Sequence, residues 1–204
     1  MPALPMEKAE EYLPHLLAAM MRFEINTPLR IAAFLAQLAQ ESAQLTLWRE
    51  NLNYSAKALA RTWPGRFRGK DGKPNAKALE IAHNPPLIAE AAYGGRLGNG
   101  PEGSGDGWRC RGVGPIQTTG VANLREAGRR LGLPLETQPE LLELPEHGFM
   151  AAGLFWSLRD LNAWADQGQA AFDTITRLVN GPALHAREKR LGYYLVARRV
   201  LGVD

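Results

Sequence analysis

Two glutamates, Glu41 and Glu50, are the residues of this chain whose type and spacing suit acid–base chemistry. With a helix running from Pro28, a rotation of about 100° per residue puts Ile31, Phe34, Leu35, Leu38 and Leu45 on one face. Glu41 falls at the edge of that stripe, and Gln37 and Gln44 stand beside it, one turn below and one turn above. A carboxylate there is expected to be partly desolvated, which penalises its charged form and raises its pKa. A proton held near neutral pH is what a general acid requires. The alternative is a glutamate that snorkels to solvent or pairs with an arginine. Glu50 lies in Trp48-Arg49-Glu50-Asn51-Leu52-Asn53-Tyr54-Ser55, beyond the predicted helix, so that it can face Glu41 across a groove. Arg49 and its basic surroundings are expected to keep Glu50 ionised. One protonated and one ionised carboxylate is the arrangement that cleaves a glycosidic bond. The pairing alone is weak, because 21 acidic residues offer many such pairs.

A third feature is Arg111-Gly112-Val113-Gly114-Pro115-Ile116-Gln117-Thr118-Thr119-Gly120. Its glycines let backbone approach a ligand closely, and Gln117 and Thr119 bring short neutral groups suited to sugar hydroxyls or to holding a water. A plain turn entering a helix is the simpler reading. Trp48, Tyr54, Trp63, Tyr93 and Trp108 sit in or near these loops, where sugar faces can stack on them, whereas Trp156 and Trp164 read as core.

The elements that must position these groups are helices joined by Gly- and Pro-rich loops. Residues 7–24 have helical periodicity, with an interruption expected at Pro14. Thr27 as N-cap and Pro28 at the first helical position start the next helix, expected to reach about Leu47. The pattern over 51–67 is shorter and mixed, and 68–74 is a polar turn. Residues 75–92 are helical on either side of Asn84-Pro85-Pro86. Residues 94–114 contain nine glycines and read as a long loop or small hairpin. Helices resume at about 121–131, 145–160, 170–179 and 186–201. Strand-like alternation is scarce, so the class is mainly α.

Composition narrows the function. At 204 residues the chain suits one domain or two closely packed lobes, and it needs no metal or disulfide staple. The single cysteine, Cys110, excludes an internal disulfide and a Cys-rich zinc site, and no cofactor is implied. No apolar run approaches the roughly 20 residues of a membrane span. The first residues lack a basic segment followed by an apolar core, so synthesis in the cytoplasm without a secretory signal is expected. Charge is uneven. Residues 49–73 hold seven Lys and Arg against Glu50 and Asp71, residues 136–146 hold four glutamates and no base, and the C-terminal segment is basic again. Two basic zones suit a polyanionic target or a solvated surface. Nucleic acid is not expected as a partner, because the basic residues form no continuous stripe and no nucleic-acid motif accompanies them.

Taken together, these segments resemble glycoside hydrolase family 19, the chitinase family whose short bacterial and phage members include peptidoglycan-degrading endolysins. Phe34-Leu35-Ala36-Gln37-Leu38-Ala39-Gln40-Glu41-Ser42 followed by Arg49-Glu50-Asn51-Leu52-Asn53-Tyr54-Ser55 looks like its catalytic region. Tyr93-Gly94-Gly95-Arg96-Leu97-Gly98-Asn99-Gly100 resembles the loop after the second carboxylate, and Gly112 to Gly120 resembles the family's Gly-Arg-Gly-Pro-Ile-Gln-Leu stretch. Ile175 to Gly181 and Lys189 to Tyr194 resemble its closing segments. The likeness runs over roughly 25–200 in the expected order.

The resemblance implies a lysozyme-like, mainly α domain with two lobes flanking a sugar-binding cleft, and with residues 1–26 as a helical segment packed on it. It implies Glu41 as general acid and Glu50 as the base that activates water, in an inverting mechanism. It also implies Thr119 as the holder of that water, Gln117, Asn123 and Asn180 as sugar-binding residues, and Arg190 as a cation that helps keep Glu50 ionised. Gln40 replaces a His common in chitinases, and Val113 replaces the usual Arg. The short chain, the missing signal and the basic surface favour peptidoglycan glycan strands as substrate, cut in the periplasm or wall by a monomer. Chitin hydrolysis, a lytic transglycosylase using Glu41-Ser42 and Gly114 to Gln117, and a wall-binding protein without activity are the rivals. The C-terminal helix carries Arg187, Lys189, Arg190, Arg198 and Arg199 beside Leu191, Leu195, Val196 and Val200. It reads as a docked surface helix with snorkelling arginines, and alternatively as an outer-membrane contact.

Overall fold

Capping residues start several helices where the sequence places them. A computed structural model describes residues 1–203. The first six helices are α1 (Met6–Arg22), α2 (Pro28–Glu41), α3 (Ala56–Thr62), α4 (Pro64–Phe67), α5 (Ala76–Ile81) and α6 (Pro85–Tyr93). The remaining six are α7 (Asp106–Arg109), α8 (Val121–Leu131), α9 (Pro145–Ser157), α10 (Leu161–Ala165), α11 (Phe172–Asn180) and α12 (Arg187–Val200). Thr27, Ser55, Asn75 and Asn84 each accept the backbone N–H three residues on, which satisfies a donor the helix leaves unpaired. Among the described residues, β pairing is confined to isolated bridges, including Arg49 with Val113 and Val113 with Thr118. The mainly α expectation holds.

The chain divides into two compact units. The first comprises Met1–Trp48, Gly114–Gln117 and the chain from Glu140. Here α12 packs along α2, and α1 packs on α9. Its core contains Phe34 edge-on to Trp156 at 5.3 Å and Phe172 stacked on Tyr194 at 4.5 Å. Gly153 admits the Phe23 ring, since a Cβ there would lie 2.3 Å from it. Trp48 is not available to a sugar. It is buried between Tyr12 and Phe149, and its indole N–H donates to the Leu45 carbonyl at 2.9 Å.

Two expectations about this unit are corrected. α1 runs through Pro14 without a break, because Pro14 is exposed and water can serve the carbonyl that proline leaves unbonded. α2 ends at Glu41 rather than near Leu47. Ser42 Oγ donates to the Leu38 carbonyl at 2.6 Å and accepts from Leu45 N–H at 2.9 Å, which competes with helical bonding. Ala43, Gln44 and Leu45 then take φ of +48°, +62° and +66°, a left-handed turn that L side chains adopt at a cost. Leu45 is still buried, and Gln44 turns away to accept from the Ala3 N–H instead of standing a turn above Glu41.

The second unit comprises Arg49–Val113 and Thr118–Pro139. Leu52, Leu59, Phe67, Ala78, Ile81, Ile88 and Ala89 form its core, with Tyr54, Trp63, Tyr93 and Trp108 packed against it. The glycine-rich segment after α6 is a loop with α7 set into it. Gly107 lies so close to α6 that a Cβ would meet the Ala89 carbonyl at 2.7 Å. Glu90, nearly buried on the otherwise apolar α6, holds this loop: its carboxylate accepts the N–H groups of Gly103, Gly105 and Trp108.

Candidate active site

In the first unit, Glu41 closes α2 and its side chain remains 17% exposed. Arg190, buried on α12, donates to Glu41 Oε1 at 2.5 Å and to Gln37 Oε1 at 2.6 Å. Gln37 in turn donates to Thr176 Oγ1 on α11, and Arg190 Nε donates to the His185 carbonyl at 3.0 Å. Asn180 fixes that last segment by accepting the His185 N–H at 2.9 Å. Helix periodicity explains why Gln37 and Glu41 meet one guanidinium, since residues four apart share a face. Arg190 was expected to serve Glu50; the hydrogen-bonded carboxylate partner it has within this unit is Glu41. The oxygen that Arg190 holds fixes the orientation of the carboxyl group.

Gln117 also belongs to this unit. It takes a φ of +54°, and its Nε2 donates to the Gly114 carbonyl at 2.9 Å, so its amide helps to close its own turn.

Glu50 belongs to the second unit. Its backbone N–H donates to the Gly112 carbonyl at 2.8 Å, and Gly112 N–H donates back to Oε2 at 3.1 Å. The Tyr93 hydroxyl donates to Oε1 at 2.6 Å, a length typical of a charge-assisted O–H···O⁻ bond. Burial pushes the Glu50 carboxyl above its ordinary range, and the Tyr93 hydroxyl, the Gly112 N–H and the Arg111 charge oppose that shift. The expectation that its basic surroundings simply keep Glu50 ionised is thus corrected: desolvation is the largest effect, and Arg111 is the cation that counters it. Burial and the facing carboxylate also drive the Tyr93 phenol far up, so it stays a donor.

The aromatic residues divide by role. Tyr93 reaches Glu50 with its hydroxyl while its ring meets Trp63 at 6.3 Å, and Tyr54 meets Trp63 at 5.4 Å. Trp108 has one face covered by the Arg111 guanidinium, 3.5 Å from the ring centre, which leaves that face closed to a sugar. Asn99 anchors the Tyr93 loop by donating to the Tyr93 carbonyl and accepting from Val121 N–H. Thr119 precedes α8, and its carbonyl accepts from Asn123 Nδ2 at 2.8 Å. The second unit contains Glu50, Tyr54, Tyr93, Trp108, Thr119 and Asn123, of which Tyr93 meets Glu50 and Asn123 meets Thr119, while Glu41, Gln117, Asn180 and Arg190 belong to the first.

Sequence reasoning missed Glu90 and Arg111. The signal for Glu90 was legible: a lone carboxylate in Pro85-Pro86-Leu87-Ile88-Ala89-Glu90-Ala91-Ala92, just before a loop rich in unpaired N–H groups. Chemically, Glu50 is a half-buried carboxylate of raised proton affinity with two fixed donors, and Glu41 is a carboxyl group oriented by a guanidinium.

No family model matches the chain. A glycosyl hydrolase family 19 domain-containing protein of Haemophilus influenzae is 36% identical over 166 residues, covering 80% of this chain and 76% of the relative. An endochitinase of Arabidopsis thaliana is 39% identical over 98 residues, or 45% of this chain and 33% of the relative. Among solved structures, chitinase C from Streptomyces griseus is similar with a TM-score of 0.59 at 18% identity, covering 94% of this chain and 84% of that one. That likeness carries the mainly α, lysozyme-like fold.

Proposed function

The chain belongs to glycosyl hydrolase family 19 and is a glycoside hydrolase, and on that premise we propose that it cuts the β-1,4-linked N-acetylated sugar backbone of bacterial peptidoglycan with Glu50 as general base and Glu41 as general acid. The observation that carries the reading is the setting of Glu50. A base works best when its proton affinity approaches the working pH, and burial moves Glu50 in that direction while Tyr93 and Gly112 fix both oxygens. Activated by Glu50, water attacks the anomeric carbon, and the leaving oxygen takes its proton from Glu41. Arg190 occupies Oε1 of Glu41, so Oε2 is the oxygen that carries that proton. Separate acid and base residues acting with one water give inversion. Thr119 positions the water, and Gln117, Asn123, Asn180, Tyr54 and Trp108 contact the sugars.

The formal charge of +3 supports an anionic wall as the target. The enzyme is proposed to act as a monomer in the periplasm or wall after synthesis in the cytoplasm. Among the described residues no helix is long and apolar enough to cross a membrane. Outer-membrane contact through α12 is a second part of the reading. Arg190 is buried there and Arg187 pairs with Asp173, which leaves Lys189 and Arg199 exposed with Leu195, Val196 and Val200. Salt-sensitive co-sedimentation with anionic vesicles, lost in Val196→Asp/Val200→Asp, is the expected result, and no co-sedimentation removes this part.

Mass spectrometry of products from purified peptidoglycan tests the main reading. Hydrated fragments with new reducing ends, absent with Glu50→Gln, are expected. Anhydro-muramyl products would assign a transglycosylase and remove the base role of Glu50. Chitin is the second reading, favoured by the Arabidopsis and Streptomyces relatives, and cleavage of chitin oligomers without release from peptidoglycan would select it.

A further inference from the structure

The second unit holds an open cavity of about 420 Å³ lined by Ser55, Lys57, Ala58, Ala60, Arg61, Arg68, Gly72 and Pro74. Three of these are cations, and no carboxylate lines the cavity. Lys57 and Arg61 are exposed and one helical turn apart on α3, so both project from one face. Buried Leu59 and Ala60, with the Ser55 cap, fix that face. Arg68 arrives from a separate element. Buried Phe67 anchors a tight hairpin in which Arg68 bridges Pro74, Gly69 N–H donates to the Lys73 carbonyl, and Asn75 closes the base on Phe67 and Arg66.

Several arginines elsewhere on the surface are matched to carboxylates, others such as Arg177 and Arg199 are not, and what sets these three cations apart is that they line one cavity. Arg30 is matched to Asp166, Arg125 to Glu136, Arg129 and Arg130 to Glu126, and Arg187 to Asp173. Lys57, Arg61 and Arg68 form no ion pair among the described residues. The acidic residue of the hairpin, Asp71, is turned to the Lys73 N–H. Like charges at i,i+4 disfavour a helix, so Lys57 and Arg61 carry a cost that an anionic ligand would reverse.

We propose that this cavity binds a phosphate group carried on an anionic glycan or polyol polymer of the cell surface. Two planar guanidinium forks and one ammonium supply donors for the oxygens of a tetrahedral phosphate, whether a monoester dianion or a diester monoanion. The cavity is large enough for the attached sugar or polyol unit as well as the phosphate. The site uses none of the residues assigned to cleavage, so it stands or falls apart from the reading of the enzyme's substrate.

The test is calorimetric titration of the full-length protein at low ionic strength with glucose 1-phosphate, glucuronate and a poly(glycerol phosphate). The variants are Lys57→Gln/Arg61→Gln/Arg68→Gln and a charge-matched control, Arg125→Gln/Arg129→Gln/Arg130→Gln. Binding of both phosphate ligands is expected, weakened at least tenfold in the cavity variant and unchanged in the control. The single Arg68→Gln variant, on the exposed hairpin, is expected to lose part of the affinity and carries the test if the triple variant unfolds. A preference for glucose 1-phosphate over the poly(glycerol phosphate) would assign a phosphorylated sugar, and the reverse a polyol phosphate chain. No binding by the wild type, equal binding of glucuronate, or equal loss in the control would overturn the proposal. So would tighter binding of single-stranded DNA that the cavity variant loses.

Discussion

Replacing Tyr93 by phenylalanine removes one oxygen and isolates its effect on Glu50. The phenol donates to Oε1 at 2.6 Å and opposes the upward push that burial gives the carboxyl. A hydrogen bond to a charged group is worth about 1.5–3 kcal/mol. At about 1.36 kcal/mol per tenfold, losing it shifts the ionisation equilibrium of Glu50 about ten- to hundredfold toward the protonated form. A base must be ionised to accept a proton, so the acidic limb of kcat/KM moves to higher pH. On that limb the variant is expected to be about ten- to hundredfold slower than wild type, and on the plateau it should nearly match it. The ring contacts with Trp63 survive in phenylalanine, so folding is expected to be kept. The assay is the pH profile of kcat/KM on a soluble oligosaccharide, with circular dichroism to check the fold. An equal loss at every pH would mean that Tyr93 positions substrate rather than tuning Glu50. An unmoved acidic limb would refute the reasoning outright.

Three further outcomes follow from the same contacts. Because burial raises Glu50 above its unfolded value, the native state holds that proton more tightly, so stability falls as pH rises from the unfolded value through the folded one and stays lower above it. Glu50→Gln abolishes this loss. The variant is expected to be inactive yet more stable at pH 7 by on the order of 1 kcal/mol, about 2–4 °C in Tm, and a gain no larger at pH 7 than at pH 3 would contradict the cause. Glu90→Ala removes the acceptor of the Gly103, Gly105 and Trp108 N–H groups, and since water can reach the exposed Gly103 and Gly105, thermal denaturation should show a loss of about 1–3 kcal/mol. Arg190→Met leaves Glu41 without its partner and should cost about 3–5 kcal/mol by urea unfolding. Arg190→Lys should not restore it, since one ammonium cannot reach Glu41, Gln37 and the His185 carbonyl together.

Local chemistry was legible in the sequence, and long-range chemistry was not. Thr27-Pro28, Ser55, Asn75 and Asn84 start helices by contacts three residues long; the first is legible as a start and 75 and 84 bound the helical stretch expected there, whereas Ser55 lies in a segment whose pattern reads only as mixed. The end of α2 was not readable, because it depends on Ser42 bonding backward to Leu38 and forward to Leu45 while Leu45 finds the core by a left-handed turn. Apolar periodicity placed Leu45 correctly inside and by the wrong route. The same limit governs the carboxylates. Position at the edge of an apolar stripe marked Glu41 as partly buried, but its partner lies 149 residues away on α12. Basic neighbours in sequence suggested an ionised Glu50, yet its strongest donor is Tyr93, 43 residues on, and its desolvation comes from packing that no neighbour reveals. A charge count along the chain reports how many cations are near a carboxylate in sequence. Proton affinity depends on which of them reach it and on how much water is excluded, and both are set only when the chain folds. That is why the two glutamates could be singled out as candidates from sequence while the partners of Arg190 and Arg111 needed the structure.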